Sequence, residues 1–157
     1  MILIPPLDHR GLLPPGVHIT TLEQIPLAFC INDYRWNLWD SVLTGLNELC
    51  NMIYCYPEHR PQLILGGSFF SDKLHPNDIE ATLLYPVETP PEICWLISVS
   101  HMEKHDALKQ KYDLDYYPSL PNVNDFSVFF QYVGTKTAAA KGLYKKDRRG
   151  VLEVLSW

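Results

Sequence analysis

The stretch LILGGSFFSDKLHPNDIEATLLY, Leu63 to Tyr85, places two apolar runs on either side of a polar excursion. Leu63 to Leu65 has the length and composition of a short buried strand, and ATLLY carries a second strand to Tyr85. Gly66, Gly67 and Ser68 close the first strand. Glycine allows a sharp turn and a close backbone approach to a ligand. The Ser68 hydroxyl and the amides after it suit phosphate oxygens. Ten positions beyond Ser68 comes Asp78, then Ile79 and Glu80. Two residues apart on a strand, these carboxylates leave one face about 7 Å apart, while Ile79 points the other way, into the core. Carboxylates facing one point repel each other unless a cation lies between them. Hard oxygen donors of this kind suit Mg²⁺ or Mn²⁺, which recruit substrate phosphates. Lys73 adds a charge that offsets phosphate. The competing reading is a tight turn followed by solvated strand-end carboxylates.

The chain around this stretch has 157 residues, a length that fits one domain spanning residues 1–157. With 46% hydrophobic and 20% charged residues it can build a core without disulfides or zinc. The formal charge of −5 disfavours nucleic acid as a partner without excluding it, since a local basic patch still binds phosphates. No apolar run reaches the roughly 18–20 residues that span a bilayer. The start, MILIPPLDHRG, lacks the basic and long apolar regions of a signal peptide. Cys30, Cys50, Cys55 and Cys94 form no C-x-x-C pair and read as buried thiols in a reducing compartment, the cytoplasm. His101 and His105 have helical i, i+4 spacing, but Met102 stands where a zinc-protease motif needs Glu, so the pair reads as a helix surface.

Residues 1–19 are rich in Pro and Gly and read as an extended strap. Thr20 or Thr21 is placed to cap a short helix that Pro26 limits. From a cap at Asp33, the positions Leu38, Trp39, Val42, Leu43, Leu46, Leu49, Cys50 and Ile53 predict a long core helix ending before Pro57. Pro91 is placed to open a helix, and residues 93–112 suit one or two helices. LDYY is a brief strand, DFSVFFQYV a short aromatic helix, and KGLYKKDRRGVLEVL two strands joined around Asp147–Gly150. The order of elements predicts a small α/β or α+β domain with helices packed on a mixed sheet.

The combination of strand, G-S, short excursion and D-h-E strand resembles the polymerase-beta-like nucleotidyltransferase superfamily. Leu65, Gly66, Gly67, Ser68, Asp78, Ile79, Glu80 and Ala81 occupy its signature positions, with Ala81 a weak match and Glu80 in place of the commoner Asp. Members carry a third acidic residue on a later adjacent strand, which makes Asp115 the candidate and Asp113 the runner-up. The Pro-Gly lead, the helix ending in GLNELC, DLDYYPS, DFSVFFQ and KGLYK extend a looser similarity to small microbial domains of this type.

The resemblance implies a minimal nucleotidyltransferase fold. It further implies Mg²⁺ or Mn²⁺ on Asp78, Glu80 and Asp115, and a nucleoside triphosphate on Gly67 and Ser68. Asp115 is also placed to help deprotonate the acceptor hydroxyl. Lys73 and Lys141 are candidates to meet the phosphates. Lys141, Lys145, Lys146, Arg148 and Arg149 read either as a solvated hairpin face or as a basic edge for the triphosphate or an acidic partner. Tyr112, Tyr116 and Tyr117 suit either base stacking or the core. So small a domain has no separate acceptor-recognition unit, which points to a partner protein as acceptor or as presenter of the acceptor. The resemblance associates such domains with toxin–antitoxin and defence pairs. The rival is the same fold without turnover, an antitoxin-like or scaffold binding protein; a third reading is a phosphatase or nuclease using the same carboxylates.

Overall fold

The computed structural model describes residues 4–53 and 56–157. It is an α/β structure built on one five-stranded mixed sheet. The elements run β1 (Gly16–Thr20), α1 (Gln24–Phe29), α2 (Asp33–Ile53), β2 (Gln62–Gly66), β3 (Ile79–Leu84), α3 (Pro91–Glu103), α4 (His105–Tyr112), β4 (Leu114–Tyr116), α5 (Phe126–Phe130), α6 (Gly134–Lys141) and β5 (Gly150–Val154). Across the sheet the strands lie in the order β1-β5-β2-β3-β4. β2 runs antiparallel to both β3 and β5, while β1 is parallel to β5 and β3 to β4.

Strand alternation divides the sheet into two faces. Ile79, Ala81 and Leu83 of β3 join Leu114 and Tyr116 of β4 in the main core, with Leu63, Leu65, Leu152 and Val154. Leu38, Trp39, Val42, Leu46, Leu49 and Ile53 of α2 cover that face. The opposite face carries a smaller cluster, in which Phe130 of α5 packs on Ile64 and Val151. Glu80 and Asp115 alternate with the main-core residues of their strands, so they belong to this second face. Gly66 lies opposite Glu80 in the β2–β3 register, and a Cβ there would come within 2.9 Å of Phe130 Cβ. The glycine is needed because α5 sits directly on the strand end.

Four details differ from the sequence expectations. Part of the lead is not a free strap: Gly16–Thr20 is a sheet strand, and Leu12 bridges to Ser71. Neither Thr20 nor Thr21 caps α1, whose N-cap is Glu23 with no side-chain bond. At the start of α2 it is Asn32, not Asp33, whose side-chain oxygen accepts the Arg35 amide at 2.9 Å. The C-terminal hairpin does not form. Residues 134–141 are helical, Gly142 ends that helix at φ 65°, and β5 alone pairs, with β1 and β2. Of the cysteines, Cys94 is buried and Cys30 and Cys50 are half-buried, while Cys55 lies outside the described residues. Among the described residues no helix is long and apolar enough to cross a membrane.

The predicted surface pair His101 and His105 is also absent, because the helix breaks at Lys104 between α3 and α4. His101 is fully buried, edge-on to the Tyr116 ring at 5.0 Å. Burial pushes its pKa down from 6.5 to about 4. The folded protein therefore holds this imidazole neutral while the unfolded chain protonates it. The associated stability is complete above about pH 6.5 and is lost as pH falls from there through 4, in all about 3 kcal/mol. His101→Phe is expected to flatten this slope when urea midpoints are compared at pH 7.5 and pH 5. Identical slopes in the two proteins would show that His101 carries no such linkage.

Candidate functional site: a carboxylate cluster in a basic cleft

The alternation of β3 and β4 brings the predicted carboxylates together. Glu80 and Asp115 are register partners across the two parallel strands. Asp78 stands just before β3, where the Ile79 amide donates to the Asp113 carbonyl at 3.0 Å. Asp113 itself is exposed and caps α4 in the left-handed region, φ 54°. It is thus off the strand, and the register favours Asp115 as the third carboxylate.

Gly67 stands against Glu80. Its φ of 98° disfavours any other residue, and an added Cβ would lie 3.4 Å from Glu80 Cγ. From Gly67 the chain enters a short 3₁₀ turn, Ser68–Phe70, tightened by Ser71 Oγ donating to the Ser68 carbonyl at 2.6 Å. Behind this turn lies a residue that the sequence reading did not single out. Arg35 is 1% exposed and meets no carboxylate among its hydrogen-bond partners. Its guanidinium donates to the carbonyls of Phe29 at 2.6 Å and Ser71 at 3.4 Å, and also to those of Phe69 and Lys73. It lies 4.5 Å from the Phe69 ring centroid. One cation thus pins the turn and the start of the excursion as far as Lys73.

The carboxylates and Ser68 of the turn line a cleft of about 990 Å³, whereas Gly67 stands behind Glu80 and is not part of that lining. Lys73, Lys109, Lys136, Lys141, Lys145, Lys146 and Arg149 line it, seven of the chain's 13 lysines and arginines. Only Asp72, Asp78, Glu80 and Asp115 of its 18 acidic residues do so. An acidic chain has therefore gathered positive charge in one concave place, an arrangement that attracts anions.

Burial raises the pKa of both Asp78 and Glu80, and repulsion from neighbouring carboxylates adds to it. Lys109 opposes this at Asp78 and Arg149 at Glu80. Arg149 is a correction to the solvated hairpin face. It is buried, donates Nε to the Phe130 carbonyl at 3.0 Å and lies 3.6 Å from Glu80 Oε2. Asp115 Oδ2 accepts from Lys109 Nζ at 2.6 Å and from the Tyr117 hydroxyl at 3.1 Å, and His105 Nε2 stands 3.3 Å from Oδ1. Burial, then the Asp115 charge, lifts the Tyr117 phenol to about 12. Of the three tyrosines only Tyr117 lines the cleft: Tyr116 is in the core, and Tyr112 donates to Glu48 at 2.7 Å. Lys141 lines the cleft but is engaged by Asp72 at 2.6 Å and the Arg10 carbonyl at 2.8 Å, so it fastens the end of α6 to the cradle loop.

Among the described residues, no three His, Cys, Asp or Glu side chains form a ready metal cage. Mg²⁺ commonly needs only one or two carboxylates, because water and substrate phosphates complete its shell. Glu80 Oε2 is buried and lacks a hydrogen-bond partner among the described residues. Lys109 already places an ammonium between Asp115 and Asp78, the latter at 3.7 Å. Asp78, Glu80 and Asp115 offer hard oxygen donors of the kind a divalent ion takes, and Glu80 Oε2, with Arg149 standing at 3.6 Å, makes no hydrogen bond among the described residues.

The chain belongs to a family of unknown function, DUF6932, whose profile matches residues 5–154. No curated protein and no solved structure matches it.

Proposed function

We propose that this protein is a metal-dependent nucleotidyltransferase that moves a nucleoside monophosphate from a nucleoside triphosphate to a hydroxyl acceptor. The observation that carries the reading is the register pairing of Glu80 with Asp115, beside the Gly67 turn and at the floor of a basic cleft. The backbone of Gly67 and Ser68 receives phosphate oxygens. Lys73, Lys136, Lys145 and Lys146 offset the polyphosphate charge. Asp78, Glu80 and Asp115 hold Mg²⁺ or Mn²⁺, which supplies Lewis-acid stabilisation of the phosphoryl oxygens when bound. In this reading Asp115 takes the acceptor's proton, a role the resemblance implies, once Lys109 has released its Oδ2. The cysteines, which form no C-x-x-C pair, support a cytoplasmic setting, the small size of the domain a partner protein as acceptor or presenter, and the resemblance an association with toxin–antitoxin or defence pairs.

The cation position already filled by Lys109 favours a second reading, a nucleotidyltransferase fold that binds a partner without turnover. Incubation with each labelled triphosphate, Mg²⁺ or Mn²⁺ and lysate separates the two. Transfer of label that disappears in Asp78→Ala and Glu80→Ala supports the enzyme. Transfer that is undiminished in those variants removes the proposed site.

A further inference from the structure

We propose that Lys109 is a displaceable internal cation that must leave the carboxylate cluster before a divalent metal can enter, so that this side chain sets the metal affinity. The inference rests on the reading of the cluster as a metal site. Its geometry is specific. Asp115 Oδ2 has its acceptor directions taken by Lys109 at 2.6 Å and Tyr117 at 3.1 Å. A metal needs that oxygen free, and it needs the space toward Asp78, which the same ammonium also faces at 3.7 Å. His105 approaches only the other Asp115 oxygen, and Tyr117 brings no positive charge.

Lys109 is also the group built to move. Its side chain is 46% exposed, whereas that of Asp115 is 6% exposed. It projects from α4 on a flexible four-carbon stem. The ammonium competes for the cluster by charge, and after displacement it stays in the cleft, where substrate phosphates can receive it. The loss of one contact is thereby coupled to the gain of another. Metal alone binds weakly because Lys109 holds the carboxylates, and metal with a polyphosphate binds well because the lysine has a new anionic partner.

The test is a Mn²⁺ titration at pH 7.5, read from the electron paramagnetic resonance signal of the free ion. The proteins are wild type, Lys109→Met, Lys109→Gln and Lys109→Arg. Both neutral variants are expected to bind Mn²⁺ at least tenfold more tightly than wild type, and Lys109→Arg, which keeps the charge, no more tightly. Lys109→Gln retains a donor to Asp115 and serves if Lys109→Met fails to fold. Equal binding by wild type and the neutral variants would overturn the role of Lys109 while leaving the metal site standing. Absence of binding by all four would overturn both. Tightening in Lys109→Arg equal to that in Lys109→Met would show packing, not charge, at work and would also overturn the proposal.

Discussion

Glu80→Gln is expected to lose nucleotidyl transfer by about a hundredfold or more while folding at least as stably as wild type. The substitution keeps shape and removes charge. Glu80 is a poor structural carboxylate: burial raises its pKa, and one oxygen lacks a hydrogen-bond partner among the described residues. Its one ion-pair neighbour, Arg149, keeps the bond to the Phe130 carbonyl at 3.0 Å when the charge is gone. A neutral amide therefore relieves a native-state cost and deprives the site of an anionic ligand. Transfer and melting temperature are the two readouts. A melting temperature lowered by several degrees with transfer intact would make Glu80 a structural partner of Arg149 and nothing more.

Arg35→Met is expected to have the largest effect on stability. The carbonyls of Phe69, Ser71 and Lys73 lose the guanidinium together, and that of Phe29 keeps the Ile31 amide at 3.0 Å. Each buried group left unsatisfied costs about 1–3 kcal/mol, against a total stability of about 5–15 kcal/mol for an ordinary domain. Several kcal/mol are therefore at risk, and the urea midpoint should fall accordingly or the protein should fail to accumulate. Arg35→Lys keeps the charge but not the fork that spans these carbonyls. It should fold with a loosened turn, weakening triphosphate binding more than Mn²⁺ binding. A wild-type urea midpoint in Arg35→Met would mean that water or neighbouring amides satisfy the loop as well as the guanidinium does.

Arg35 also shows what was legible and how it was missed. It stands four residues before Trp39, on the stripe that continues through Val42, Leu46, Leu49 and Ile53. A charged residue in phase with a core stripe is a signal for a buried polar role. The unbroken apolar stripe begins at Leu38, beyond Arg35, so apolar periodicity alone does not reach it. Local patterns were the reliable ones. The alternation of Asp78, Ile79 and Glu80, Pro91 at the start of α3 and the short aromatic helix within DFSVFFQYV all depend on neighbours in the chain. Asp115 was placed by its short strand, and the β3–β4 register puts it beside Glu80.

The misses come from partners distant in sequence. β1 pairs with β5, joining Gly16 to Gly150, and neither strand's alternation names its mate. Seen alone, KGLYKKDRRGVLEVL offers a turn between apolar ends. In the fold its first part finishes α6 and its last part is the strand between β1 and β2. Lys109 and His105 lie one turn apart on α4, a short helix that buries Leu108 in the core. Only the fold shows that both face Asp115.

Binding of a non-hydrolysable triphosphate analogue by calorimetry, with and without Mn²⁺, tests the central claim without needing the acceptor. The account predicts Mn²⁺-dependent binding to wild type that is lost in Asp78→Asn. Binding that is indifferent to Mn²⁺ and to Asp78, or no binding under any of these conditions, would contradict it.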